Sequence, residues 1–343
     1  MFPDAFVFHV SSCSANDRTY HWDMAFSQLT IGRMAAVVTV LIWTSFIIVA
    51  RASASHVLLP LDIACARILG ASSVLLPWAW WLMREARQRG EKVGSLWGLS
   101  PLPLHITLQA GMAGGFLYAV LAYFGFFYAP AGHASVLMPG SLPLWTSLLM
   151  WLILREQIGL NRAIGLCMIV CGDILVGGMS LLKAFEGGDV WIGDLLFIAA
   201  AFCWSAYSVT VRRYALDAVR ATMAITAFAL VSFVPAYALL VNLNVLPSHM
   251  AQASWSEIVF QAAFQGVGSV VISGITFTQM IRTFGPVKST MITALVPGLS
   301  ALGAVVFLDE PLSWNLWVGL ALVTCGILFG VRQAMVKPSF YKP

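Results

Sequence analysis

Two ionisable side chains lie inside long apolar stretches of the sequence, where charged groups are rare. Arg67 falls within the run 61–83, and Asp173 falls within the run 162–182. A charged side chain near the centre of a bilayer costs about 2.5–3.5 kcal/mol on insertion scales, so each must face protein, water or a partner. Arg67 would either contact an anion or a carboxylate in a cavity, or pack with its charge against backbone carbonyls.

Asp173 also has two interpretations. Burial disfavours the charged form of a carboxyl group, so a carboxyl here could take up and release the protons that drive solute export. Alternatively, it pairs locally with Ser, Thr or backbone groups. Asp173 is therefore a candidate proton-coupling residue.

A set of aromatic and small polar residues could form an apolar binding cavity. Trp43 and Trp204 lie inside apolar runs, and paired aromatic walls suit amphipathic or aromatic solutes, although helix packing explains these residues equally well. His133 would contact a solute, sense pH or be satisfied structurally. The full set of candidate substrate-binding residues is Trp43, Arg67, Tyr123, His133, Ser135, Met138, Trp204, Tyr207 and Phe277.

The composition excludes a soluble protein and most enzymes. Only 10% of the 343 residues are charged and 59% are hydrophobic, whereas soluble domains carry about 25% charged residues. The six Cys and six His residues lack the spacing of a metal site, and no P-loop, nucleophile elbow or Cys-x-x-Cys occurs. We therefore expect no metal, no cofactor, no catalysis and no nucleic-acid partner.

Ten apolar runs follow one another along the chain. Each is long enough, or nearly so, to cross about 30 Å of hydrocarbon as a helix, and lipid leaves helices as the only spanning structure for isolated segments. The runs are 33–51, 61–83, 104–128, 133–154, 162–182, 193–211, 221–243, 257–281, 289–308 and 314–332. The sequence predicts an all-α integral membrane protein with ten transmembrane helices.

The basic residues give the orientation. Lys and Arg cluster in alternate connections, with only Arg51 and Lys183 falling toward the other side and Arg67 within a span. Because basic residues favour the cytoplasmic side, we expect a multi-pass protein of the cytoplasmic (inner) membrane with both termini in the cytoplasm. Residues 1–31 and 333–343 would be cytoplasmic tails.

The chain repeats one pattern. Segments 131–176 and 285–330 align without a gap, and an earlier pair of segments aligns in a different register. The coinciding pairs include Gly32/Gly193, Trp43/Trp204, Arg51/Arg212, Pro143/Pro297, Glu156/Glu310 and Asn161/Asn315. Five helices is an odd number, so the second unit (183–332) must be inverted relative to the first (32–182), and such folds place the substrate path between their halves.

Two of the repeated residue types have expected roles. Pro143 and Pro297 would kink the fourth and ninth helices and act as hinges, although membrane helices also tolerate prolines without function. Glu156 and Glu310 lie in turns and would cap the helix that follows each of them.

This pattern resembles the drug/metabolite transporter superfamily, specifically its EamA-type family of ten-helix exporters. The resemblance rests on the repeated Gly, Trp and Arg of each unit's first helix, on the repeated Leu-x-Glu, and on the stretch from Phe284 to Ser313. It implies a structural or gating role for Arg67, an aliphatic residue where this chain has Asp173, and fifth and tenth helices peripheral to the cavity.

The predicted function is a secondary transporter that exports small metabolites, amino acids or drugs by alternating access. An integral-membrane enzyme acting on lipid-linked substrates and a non-transporting receptor or scaffold are the alternatives. A nucleotide-sugar or sugar-phosphate carrier would need several basic residues in the cavity. The partners are a small-molecule solute and the lipid bilayer, and monomer and homodimer remain open.

Overall fold

A computed structural model describes residues 18–90, 94–184, 188–293 and 295–334. These residues form ten helices joined by short connections. The helices are α1 Arg18–Ser53, α2 Pro60–Gln88, α3 Leu104–Tyr128, α4 Ala131–Leu154, α5 Leu160–Ala184, α6 Val190–Arg213, α7 Ala218–Asn242, α8 Trp255–Phe284, α9 Pro286–Leu308 and α10 Trp314–Ala334. Part of each predicted tail, 1–17 and 335–343, lies outside the described residues.

The helices have the length and composition of membrane spans. Within the described residues, nine are long and apolar enough to cross a bilayer, and the apolar part of α10, Trp314–Phe329, is shorter. Large apolar side chains such as Leu160, Phe307 and Trp255 are exposed, as expected where lipid is the solvent. The predicted all-α membrane fold is confirmed, and α1 extends the first predicted span back into the segment expected to be a tail.

The contacts between helices follow the inverted repeat. In each unit the first helix packs on the third and fourth helices of the other unit: α1 on α8 and α9, α6 on α3 and α4. Likewise α2 packs on α8 while α7 packs on α3. Two further pairs, α2 with α7 and α5 with α10, join equivalent helices. These contacts thus come in equivalent pairs or join equivalent helices, as a pseudo-two-fold axis requires.

The repeated glycines of α5 and α10 explain why these two helices pair. A Cβ on Gly172 would lie 2.8 Å from the Gly319 carbonyl oxygen, and a Cβ on Gly326 would lie 2.5 Å from the Gly165 carbonyl oxygen. Small residues let membrane helices approach until their backbones touch. The four glycines therefore form one close interface at the edge of the bundle.

We expect Gly326→Ala to destabilise the fold, because its methyl group would overlap a backbone carbonyl that cannot move freely. Overpacking of this kind costs about 1–3 kcal/mol, which corresponds to a fall of roughly 2–10 °C in the apparent Tm of the purified protein in detergent. Gly298→Ala is the control, because nothing lies within 4 Å of a Cβ at that position. An equal loss in both variants would contradict the close interface.

Regular helix geometry is interrupted in matching places. α3 and α8, the third helices of the two units, contain the π-helical stretches Gly111–Leu117 and Ala262–Ile272. α4 changes to π-helix over Val136–Gly140 and resumes at Leu142, while α9 is described in two parts, Pro286–Ile292 and Leu295–Leu308. Such interruptions often mark functional sites, and here they lie toward the centre of the bundle.

The two ends of the bundle differ in charge. The even-numbered helices end at what we term the basic end, near Arg84, Arg155, Arg212 and Arg282. The odd-numbered helices end at the opposite end, where Arg51 lies in the last turn of α1.

Candidate functional site

A small cavity of about 20 Å³ lies between the two units, at the level of the interrupted helices. Its lining includes Met138 and Pro139 from the π-helical part of α4 and Val296 from the second part of α9. α1 supplies Trp43 to the same cavity, and α6 supplies Trp204. Both units therefore contribute equivalent helices to one central space. The other residues that line it are Phe46, Ile47, Tyr118 and Leu142.

The two repeated tryptophans are in contact. The ring centroids of Trp43 and Trp204 lie 5.8 Å apart in an edge-to-face arrangement, and both rings contact Phe277, at 4.8 and 5.7 Å. Tyr118 and Tyr207 also lie against Trp204, with centroid distances of 4.7 and 5.2 Å. Aromatic pairs in such geometries add about 0.5–1.5 kcal/mol beyond area burial. These five rings form one packed aromatic cluster on one side of the first cavity.

Arg67 lines a second small cavity, of about 20 Å³, which also touches Trp204. The Arg67 residue is 5% exposed. Its Nη1 donates to Tyr123 Oη at 3.3 Å and to Ser269 Oγ at 3.4 Å. Its guanidinium carbon lies 5.5 Å from the ring centroid of Phe46. These contacts to neutral groups hold the cation in place without neutralising it.

No carboxylate within the described residues lies within 4.0 Å of the Arg67 guanidinium. A buried charge is costly unless it is paired. Thr226, on the wall of the same cavity, also leaves its hydroxyl oxygen buried without a hydrogen-bond partner. A solute in the second cavity would therefore meet the unneutralised Arg67 guanidinium and a Thr226 hydroxyl group that has no hydrogen-bond partner.

Four other predicted substrate-binding residues lie outside the lining of the two cavities. Tyr123 and Tyr207 are fully buried and bond to Arg67 and Thr278, and Phe277 backs the two tryptophans. Ser135 bonds to the Gly132 carbonyl in its own helix at 2.7 Å. None of these four lines either central cavity.

His133 faces a carboxylate rather than the central cavities. Its Nδ1 lies 2.9 Å from Asp194 Oδ1, with 14% and 4% of the two side chains exposed. This contact joins α4 to α6 across the two units at the opposite end. The sequence pattern did not single out Asp194, because only the fold brings it to a histidine 61 positions away.

Asp173 lies on α5, which packs on α10 at the edge of the bundle. It lines neither central cavity. Its Oδ1 is buried without a hydrogen-bond partner. The structure therefore does not bring the candidate proton-coupling residue to the candidate substrate-binding residues.

The two candidate hinge prolines lie just after the interruptions of their helices. Pro143 is in the first turn of the resumed α4 helix, and Pro297 lies near the start of the second part of α9. A proline in a first turn costs no backbone hydrogen bond. These prolines therefore mark the restart of each helix, and it is Pro139 that lies within the irregular turn.

Side chains tie the two units together at the opposite end. Arg51 Nε lies 2.9 Å from Glu310 Oε1, and Glu310 Oε2 accepts from the Gly132 backbone N–H at 3.3 Å. Glu310 thus binds the start of α4, not the following helix that we expected it to cap. Asp62, fully buried at the start of α2, accepts from Tyr237, Ser248 and the His249 backbone in and after α7. Ser53 accepts from Gln261 at 2.7 Å.

The repeat equivalent of this ion pair is not formed. Arg212 and Glu156 correspond to Arg51 and Glu310, but both are exposed. In the described part of the chain, no cation lies within 4.0 Å of the Glu156 carboxylate. Between described residues, every ion pair that joins the two units lies at the opposite end.

Comparison with other proteins identifies the family. The chain matches the EamA-like transporter family over residues 30–178 and 191–332. Similar proteins include the uncharacterized transporter YyaM of Bacillus subtilis, 25% identical over 64% of this chain and 70% of YyaM. A WAT1-related protein of Arabidopsis thaliana is 26% identical over 76% of this chain and 72% of its own length.

The fold also occurs among solved structures. One crystal structure matches with a TM-score of 0.56 at 22% identity, over 90% of this chain and 99% of that one. Family members are transporters rather than enzymes. The chain belongs to the EamA-like transporter family, within the drug/metabolite transporter superfamily.

Proposed function

We propose that the protein is a secondary transporter that exports a small solute from the cell by alternating access. The solute binds at the two central cavities, which widen to hold it as the two units move relative to each other and open one end of the bundle at a time. The tails, the basic end and both termini lie in the cytoplasm, as the positive-inside rule favours.

One observation carries this proposal: the equivalent arginine–glutamate pairs of the two units differ. Arg51–Glu310 is formed at the opposite end, while Arg212 and Glu156 are apart at the basic end. An inverted repeat can exchange the conformations of its halves, so a contact made at one end can be made at the other in a second state. This asymmetry is what a state closed at one end requires.

The lining of the cavities favours a particular chemical class of solute. Aromatic and aliphatic side chains suit an apolar body, and the unneutralised Arg67 suits a carboxylate or another single anionic group. Arg67 is the one charged residue among those that line the two cavities. A sugar-phosphate or nucleotide-sugar carrier would need more cations, so the lining does not favour that alternative.

The test compares three solutes that share one apolar body and differ in end group. Phenylpropionate, phenylpropionamide and phenylpropylammonium carry a negative, a neutral and a positive group. We expect the purified protein in proteoliposomes to exchange the anion at least tenfold faster than the other two. Faster exchange of the cation or the amide would contradict the anionic preference. No exchange of these compounds, of amino acids or of cationic dyes would favour a receptor or scaffold.

A further inference from the structure

A separate groove of about 470 Å³ lies on the outside of the bundle at the basic end. One wall is the last part of α2, with Trp80, Arg84, Arg87 and Gln88. The other wall is the connection between α2 and α3, with Trp97, Gly98 and Leu99. This groove shares no residue with the two central cavities.

The groove presents two guanidinium groups. The Arg84 guanidinium carbon lies 5.4 Å from the Trp80 ring centroid. Arg87 reaches across to the connection, because a Cβ on Gly98 would lie 2.6 Å from Arg87 Nη2. Neither arginine has a carboxylate within 4.0 Å among the described residues, and Glu85 is directed to Arg89 instead. The described residues therefore leave the positive charge of this groove unpaired.

Two exposed tryptophans frame these arginines. Trp80 is 62% exposed and Trp97 is 92% exposed. Both Leu96 and Trp97 adopt positive φ angles, 51° and 57°, a conformation that costs free energy in residues other than Gly and often accompanies a functional constraint. The Trp97 indole is thus exposed on a backbone conformation that is unusual for its residue type.

The position of the groove along α2 indicates which kind of ligand it would bind. Trp80 lies where the apolar part of α2 gives way to Arg84 and Arg87, and tryptophans prefer this boundary between hydrocarbon and headgroups. Basic side chains at this depth bind the phosphates of anionic lipids, and a pocket of such residues can hold one headgroup. We propose that the groove binds one anionic phospholipid, with its phosphate between Arg84 and Arg87 and its acyl chains along α2.

The test uses phosphatidylglycerol and phosphatidylcholine with identical acyl chains, added to the full-length protein in detergent and followed by native mass spectrometry. The variants are Arg84→Ala/Arg87→Ala and Trp97→Ala. Arg213→Ala/Arg282→Ala is the control, since it removes two exposed arginines from the same end of the bundle, one near the Tyr214 ring and one paired with Asp217. Inorganic phosphate is added in a separate arm as a soluble competitor.

We expect wild type to bind phosphatidylglycerol about 30-fold more tightly than phosphatidylcholine, as two arginines near a headgroup predict. Arg84→Ala/Arg87→Ala removes this preference, the control keeps it, and Trp97→Ala weakens both lipids severalfold. Equal binding of the two lipids by wild type would overturn the proposal, even if no variant folded. Equal loss in the control would indicate general charge attraction, and displacement by millimolar phosphate would indicate a soluble anion instead.

Discussion

Arg67→Ala is expected to reduce the affinity for an anionic solute about 10- to 100-fold. A hydrogen bond to a charged group contributes about 1.5–3 kcal/mol, and every 1.4 kcal/mol is a factor of ten. Arg67 lines the second cavity and lacks a carboxylate partner among the described residues. Solute dissociation constants, measured by tryptophan quenching or calorimetry, check the result.

The controls for Arg67 separate solute contact from a packing role. The amide analogue should bind to wild type and to Arg67→Ala with nearly equal affinity, because it carries no charge. Arg67→Lys should restore part of the affinity for the anion, and Arg282→Ala, which removes an exposed arginine, should change neither. If Arg67→Ala reduced the affinities for the anion and the amide equally, the arginine would act by holding Tyr123 and Ser269 in place. That result would contradict the proposed preference for an anionic solute.

Glu310→Gln and Glu156→Gln are expected to shift the accessibility of the central cavity in opposite directions. Glu310→Gln breaks the ion pair with Arg51 and should open the opposite end, while Glu156→Gln should disfavour only the other state. A partly exposed pair contributes about 1 kcal/mol, which shifts a two-state ratio about fivefold. The readout is a single cysteine at Met138 in a chain whose six native cysteines are replaced.

Labelling of that cysteine by a membrane-impermeant maleimide is measured from each side, in vesicles of both orientations. Labelling from the opposite end should rise in Glu310→Gln and fall in Glu156→Gln. The double variant should return toward the wild-type ratio, since it weakens both states. Shifts of the same sign, or none, would show that the repeated glutamates do not control access.

The sequence predicted the helices well because length and apolarity decide whether a segment spans lipid. It also predicted the inversion of the second unit, since an odd number of spans admits no other arrangement. The repeated glycines Gly172 and Gly326 turned out to pack α5 on α10, a role that no single helix reveals. Domain limits at 32, 182 and 332 stay predictions.

The site was only partly predictable. Trp43, Met138, Arg67 and Trp204 were identified because their type or their repetition is unusual in an apolar helix. The first cavity is also lined by Phe46, Ile47, Tyr118, Leu142 and Val296. The sequence could not single out these residues, because an apolar side chain that lines a cavity looks the same in the sequence as one that packs against a helix or faces lipid.

The sequence did not predict the polar contacts between distant residues, for a related reason. Arg51 and Glu310 are 259 positions apart, and Asp62 bonds to residues 175 and more positions away. The positions of Arg51 and Glu310 in the repeat were visible, but their contact depends on how the units cross. A pattern within one helix cannot contain that information.

Trp204 stands between the two central cavities and lines both, and its indole N–H is buried without an acceptor. Rotation of this one side chain would merge two chambers into a single longer one. A molecule too large for either chamber must first push the indole aside and give up its ring contacts. We therefore expect a smaller side chain at position 204 to join the two cavities and to admit bulkier compounds, while the other residues of the wall stay in place.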